Sequence, residues 1–260
     1  MRVGFITNLS EADFRFARDH EIPCVEYNCG PTDIAIVEQM RRLQILCARY
    51  GVDFSMVGLY GRDYLSKSAK ERQGHLDDAK RLIDLCCEIG APMLVTGAGL
   101  GGKRESLKTK CKKAVANLGE LLEYGQPIGI RVALYNCHWT NFAFAPDAWQ
   151  ILLEQLPELG IKYDPSHTFY DGRDYLVELR DWGQRVYHAH AKGGLMIGGE
   201  RFEDPPAGLD QIAWGPVVAV LVHHGYEGDI NIEPHSRTWL GERRHAGILL
   251  ARRHLQQFLP

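Results

Sequence analysis

The sequence predicts an α/β fold, a single (β/α)8 TIM barrel spanning residues 1–260, and three observations carry that prediction. Short β-rich apolar runs alternate with longer helical patterns from one end of the chain to the other. The runs number eight, the count a closed parallel barrel needs. Ionisable and amide side chains gather where the last four runs end, which is where barrels place their chemistry. Alternation alone fits a doubly wound open sheet equally well, because it says nothing about closure.

The elements follow in order. "RVGFIT" (2–7) is the first strand and "CVEYN" (24–28) the second. "DIAIVEQMRRLQILCARYG" (33–51) repeats apolar residues at helical spacing and stops at Gly51. "DFSMVGLY" (53–60) is the third strand, followed by the helix "LDDAKRLIDLCCEIGA" (76–91) with its stop at Gly90. "PMLVTG" (92–97) is the fourth, and "SLKTKCKKAVANLGELLEYG" (106–125) the helix that ends at Gly125. The fifth to eighth strands are "RVALYN" (131–136), "GIKYD" (160–164), "RVYHAHA" (185–191) and "DINIEP" (229–234). Helices are expected over "PDAWQILLEQLP" (146–157), "PVVAVLVHHGY" (216–226) and "RRHAGILLARRHLQQFL" (243–259). No Pro/Ser-rich linker or low-complexity tract divides the chain.

Composition narrows the function classes. Hydrophobic residues at 45% and charged residues at 24% suit a globular protein with a large core. A net charge of −3 offers no basic footprint for nucleic acid or an anionic membrane. Seven cysteines without a CxxC pair read as reduced thiols. "MR" leads directly into "VGFIT", too short for a signal sequence, and no apolar run approaches spanning length. The expectation is a cytoplasmic protein.

The strand ends carry the chemistry. They read "LYNCHWTNF", "KYDPSH", "YHAHAKG" and "NIEPH". Side chains alternate along a strand, so His188 and His190 share a face, as do Lys162 and Asp164, and Asn231, Glu233 and His235. Asp164, His190 and Glu233 come at comparable depth near the ends of neighbouring strands. One imidazole and two carboxylates meeting there form a credible divalent-cation site. Taken singly, each has a bland reading: histidines packed in the core, and Asp164 capping the turn "DPSH". Carboxylates are almost never buried without partners, which favours the site over three coincidences. The donor set suits manganese, cobalt or zinc better than an all-oxygen calcium cage.

"GIKYDPSH", "VYHAHAKG" and "GYEGDINIEPH" resemble the last three strand motifs of the xylose isomerase-like TIM barrels, the sugar phosphate isomerase/epimerase and AP endonuclease family 2 group. "CVEYN" resembles that family's second strand. The resemblance implies a barrel holding one divalent metal through Glu, Asp, His and Glu from strands five to eight. Position by position, Asp164, His190 and Glu233 match the last three ligands. His167 matches the substrate-side histidine, Lys192 a polar contact beside the metal, and Glu26 a substrate contact. The first ligand departs: Tyr135 stands where the glutamate belongs in one alignment, and Asn141 stands there in another. A neutral phenol is a poor ligand near pH 7. Asn136 can offer an amide oxygen to substrate and His138 an imidazole for proton transfer, though both have the opposite parity to Tyr135. The metal then has three protein ligands plus water, binds more weakly, or is absent.

Lesser signals remain. Gly97, Gly99 and Gly102 spell a formal GxGxxG, followed by Lys103, but the match falls on the fourth strand with no acidic ribose ligand after it. No nucleotide cofactor is expected, although Gly99 to Lys103 could contact an anionic substrate group. "GGERFEDPPAGLDQIAWGPV" (198–217) is either a lid that brings Glu203 or Asp204 to substrate or a solvated loop. The function implied is a sugar, sugar-phosphate or keto-sugar isomerase or epimerase, with Glu233 as ligand and base and His138 as the second proton carrier. The alternatives are a lyase or dehydratase on a keto-sugar or cyclitol, or a sugar-binding barrel without chemistry. Endonuclease chemistry is disfavoured by the acidic balance and the absence of histidines on early strands. The resemblance also implies a homo-oligomer.

Overall fold

A computed structural model describes residues 1–31 and 34–260; Asp33, the first residue of the first expected helical segment, lies outside the described residues. Eight parallel strands close into a barrel in the order β1–β10–β7–β6–β5–β4–β3–β2. They are β1 (Arg2–Ile6), β2 (Cys24–Cys29), β3 (Asp53–Leu59), β4 (Met93–Thr96), β5 (Arg131–Tyr135), β6 (Gly160–Tyr163), β7 (Val186–Ala191) and β10 (Asp229–Ile232). All eight expected strands are present, and closure decides against the open sheet.

The chain divides into two compact units. In Thr7–Ile161, β2 to β5 pair in parallel register, for example Gly58 with Val95 and Leu94 with Val132. These strands are buried on both faces, hence their nearly unbroken apolar runs. Helices α1 (Glu11–Asp19), α2 (Met40–Tyr50), α3 (Ala69–Ile89), α4 (Leu107–Gly125) and α5 (Pro146–Gln155) connect them. Ser10, Ser68 and Ser106 start α1, α3 and α4, each accepting a hydrogen bond from a backbone N–H three residues on. Gly51 and Gly90 end α2 and α3 in the left-handed conformation. In α3, Leu76, Ala79, Leu82, Ile83 and Cys86 are buried at helical spacing.

The other unit joins Met1–Ile6 to Lys162–Pro260. Here β10 lies between β1 and β7, with Gly4 opposite Asn231 and Asn231 opposite His190. Arg2 grips Asp229 through two hydrogen bonds of 2.9 and 2.8 Å where β1 and β10 begin. The helices are α6 (Pro165–Tyr170), α7 (Tyr175–Trp182), α8 (Trp214–His223) and α9 (Arg244–Gln256). A buried carboxylate, Glu178 on α7, accepts from the Tyr163 and Thr168 hydroxyls at 3.0 and 2.8 Å and pairs with Arg173. That cluster fastens the end of β6 to α6 and α7, and with them the direction of Asp164.

The long polar segment after β7 contains an antiparallel hairpin, β8 (Leu195–Ile197) with β9 (Glu200–Glu203). Gly198 and Gly199 make its turn, both with positive φ, the conformation a two-residue hairpin loop demands. No helix among the described residues is long and apolar enough to cross a membrane, and all seven cysteines are free thiols.

Gly193 is forced by packing: a Cβ there would lie 1.8 Å from the Pro205 carbonyl oxygen. Thermal unfolding followed by circular dichroism should show Gly193→Ala melting roughly 3–10 °C below the parent, the expected penalty of overpacking. Gly74→Ala, inside α3 with nothing within 4 Å of the added methyl, should melt no lower than the parent.

Candidate metal centre

Asp164 follows β6 and is the N-cap of α6, and its two oxygens divide the work. Oδ1 accepts from the Ser166 backbone N–H at 2.9 Å, which is the capping role. Oδ2 faces His167 Nε2 at 3.3 Å, Lys192 Nζ at 3.5 Å and Lys162 Nζ at 3.9 Å. The capping reading of "DPSH" holds, and Oδ2 is the oxygen left facing the neighbouring side chains. Proline at the first helical position costs no hydrogen bond and fixes the turn that aims the carboxylate.

His190 is buried on β7, with Nδ1 2.7 Å from Glu233 Oε2, just past β10. The Glu233 backbone N–H donates to the Ala191 carbonyl at 3.1 Å, continuing the ladder by one residue and holding the glutamate beside the histidine. His188 lies beneath, its ring edge-on to that of His190 at 5.5 Å. One donor atom each from Asp164, His190 and Glu233 lie within 4.8 Å of one another. Three donors from three neighbouring strands, one nitrogen and two carboxylates, suit a divalent transition metal with further positions for small ligands.

Lys192, 2% exposed, donates to His167 Nε2 at 3.2 Å. This bond is satisfied when His167 is neutral with Nε2 unprotonated. Burial lowers the His167 pKa to about 3; Asp164 opposes the shift and Lys192 adds to it. Burial would raise the Asp164 carboxyl, but Lys192, His167 and Lys162 outweigh it and hold the group below its ordinary range. Glu233 is likewise held well below its usual range: burial opposes, and Lys192 and the His190 hydrogen bond prevail. Lys192 is raised, its burial being offset by Asp164, Glu233 and Asp204.

Five of the expected site residues, Asp164, His167, His190, Lys192 and Glu233, thus form one cluster. The other three belong to the Thr7–Ile161 unit. Glu26 is fully buried on β2 and accepts from Asn28 Nδ2 at 3.1 Å. Asn136 is buried immediately after β5. His138 is exposed, with its ring edge-on to Phe144 at 6.3 Å.

At Tyr135 the structure gives a packing reason for the missing carboxylate. Its ring stacks on Tyr60 with centroids 4.5 Å apart, and its hydroxyl donates to the Trp139 carbonyl at 2.8 Å. Burial pushes the phenol pKa far up, so it stays neutral. Asn141, the alternative glutamate position, staples the neighbouring backbone: Oδ1 accepts from Ala98 and Ala143, and Nδ2 donates to Tyr135 and Cys137. The GxGxxG glycines have the same origin. A Cβ on Gly97 would lie 2.5 Å from the Tyr135 hydroxyl oxygen, and Gly99 has φ +87° beside Asp63. They are spacing glycines for this loop.

The 198–217 segment is tied down at the base of its hairpin. Asp204 accepts from Tyr170 at 2.7 Å, lies 2.7 Å from His235 Nδ1, and pairs with Arg201, whose guanidinium sits 4.5 Å over the Tyr170 ring. Glu203 accepts from Thr238 at 2.8 Å. Sequence reasoning missed this latch; the one signal for it was the Gly198-Gly199 pair, a hairpin turn sequence.

The family model for the xylose isomerase-like TIM barrel matches residues 14–258, and the chain belongs to that family. Among solved structures, the zinc-binding IolI protein superposes with a TM-score of 0.83 at 15% identity, covering 100% of this chain and 99% of that one. The 3-keto-D-glucoside 4-epimerase YcjR from E. coli superposes with a TM-score of 0.77 at 17% identity, covering 99% and 98%. Among curated proteins, YfiH of Bacillus subtilis is 28% identical over 122 residues, and the match spans 39% of this chain and 38% of YfiH.

A histidine kept neutral by folding binds its proton more weakly folded than unfolded. Stability should therefore fall as pH drops below the ordinary imidazole range, continuing toward pH 3. Urea midpoints of the metal-free protein should be lower at pH 5 than at pH 7, with a smaller difference in His167→Gln. NMR should show the His167 imidazole neutral throughout that interval.

Proposed function

We propose that the chain is a divalent-metal-dependent sugar isomerase or epimerase acting at the cluster of Asp164, His190 and Glu233. The observation that carries this reading is the convergence of those three donors within 4.8 Å at the ends of three adjacent strands. Family membership supports it, as does the zinc that the similar IolI structure binds. A bound cation would supply Lewis-acid polarisation of a substrate carbonyl and its neighbouring hydroxyl.

The chain's own groups supply the rest. Glu233, ionised and positioned by His190, removes a carbon-bound proton next to the carbonyl and returns it to the adjacent carbon, which is isomerisation; epimerisation needs a second group to deliver a proton to the opposite face. Lys192 faces the substrate oxygens as a donor, with neutral His167 as its acceptor, and Lys192 keeps Glu233 ionised. With Tyr135 neutral and fastened to Trp139, strand five contributes no second carboxylate. One-base chemistry follows, unless the exposed His138 carries the second proton. The same shortage of bases keeps a lyase or dehydratase on a keto-sugar or cyclitol as the second reading.

The test is turnover of ketohexoses in D2O with manganese present. Deuterium should enter the carbon beside the carbonyl, and Glu233→Gln should slow that exchange roughly 10²-fold or more. Loss of water or a cleaved carbon–carbon bond among the products would select the lyase reading. Exchange unaffected by Glu233→Gln would remove Glu233 from the chemistry. Asp164→Ala and Glu233→Ala should each reduce the manganese retained after gel filtration, measured by elemental analysis.

A further inference from the structure

Lys162 has no part in the chemistry above, yet it is among the most deeply placed charges in the chain. It precedes Asp164 by two residues on β6 and so projects from the same face of the strand. It is 2% exposed. Among the described residues its ion-pair partner is Asp164, and at 3.9 Å from Oδ2 that contact is too long for a hydrogen bond. Lys192, equally buried, sits closer to the same oxygen at 3.5 Å and has His167 as acceptor at 3.2 Å. Asp164 Oδ1 is committed to the cap of α6.

An ammonium group taken out of water is costly unless oxygen or nitrogen acceptors surround it. Lys162 carries three donors and stands beside the candidate metal ligands, and among the described residues its ion-pair partner, Asp164 Oδ2, lies beyond hydrogen-bond range. The charges point the same way. In this unit the cluster opposes Asp164 and Glu233 with Lys162 and Lys192, so each carboxylate already faces an ammonium. A divalent cation among Asp164, His190 and Glu233 would add positive charge beside Lys162 and Lys192.

We infer that Lys162, with Lys192 beside it, receives an anionic oxygen group of the substrate, so that the site selects acidic sugars over neutral ones. This rests on the metal-dependent sugar reading of the same site. A carboxylate and a phosphate share the required chemistry, and the arms of the test separate them.

Isothermal titration of the manganese-loaded protein with D-gluconate, sorbitol 6-phosphate and sorbitol compares two anions with a neutral chain of the same length. The parent protein should bind one of the anions roughly 10- to 100-fold more tightly than sorbitol, the span of a charge-assisted hydrogen bond. The anion preferred identifies the group. Lys162→Met should bring that affinity down to the level of sorbitol, so that the variant no longer distinguishes the anion from the neutral chain; Lys162→Gln serves if the methionine variant does not fold. Equal affinity for all three in the parent overturns the inference and leaves the sugar reading standing. A preference that survives Lys162 replacement overturns it too, because the metal would then be the anion's partner. Failure of all three to bind removes the sugar reading and this inference with it.

Discussion

The arrangement depends on the buried negative charge of Asp164. A carboxylate with no solvent exposure must be paired, and the chain surrounds this one with Lys192, His167, Lys162 and the first turn of α6. Satisfying that charge organises much of the site. Proline at the start of α6 sets the turn, Lys192 is drawn inward, and His167 is held neutral as its acceptor. Behind them Glu178 binds the hydroxyls of Tyr163 and Thr168.

Much of the barrel was legible because its strands are doubly buried and read as apolar runs, while its helices carry caps and stops that one chain displays openly. Gly51 and Gly90 end α2 and α3 as expected from the sequence, whereas α1, which Ser10 begins, was not read. The short helices α6 and α7 escaped because "DPSHTFY" has too few residues to show a period, and its proline and aspartate look like a turn. The β8–β9 hairpin escaped because its strands are three and four residues long and mostly polar.

Within the site, strand parity was enough to bring Asp164, His190 and Glu233 together. What parity could not supply was partnership. Tyr170, the Arg201–Asp204 pair and His235 come from three separate stretches of sequence, and only the folded chain makes them one latch. Tyr135 is a further example. In sequence it is a lost ligand; in the structure it is a packed ring with a bonded hydroxyl, and Gly97 and Asn141 accommodate it. The replacement is supported by its neighbours on β4, β5 and their loops.

Crystals grown with manganese and measured at its absorption edge give the most direct test of a metal centre on three strand ends. The account predicts one anomalous peak within bonding distance of Asp164, His190 and Glu233. A peak at other residues, or none with manganese in excess, would contradict it.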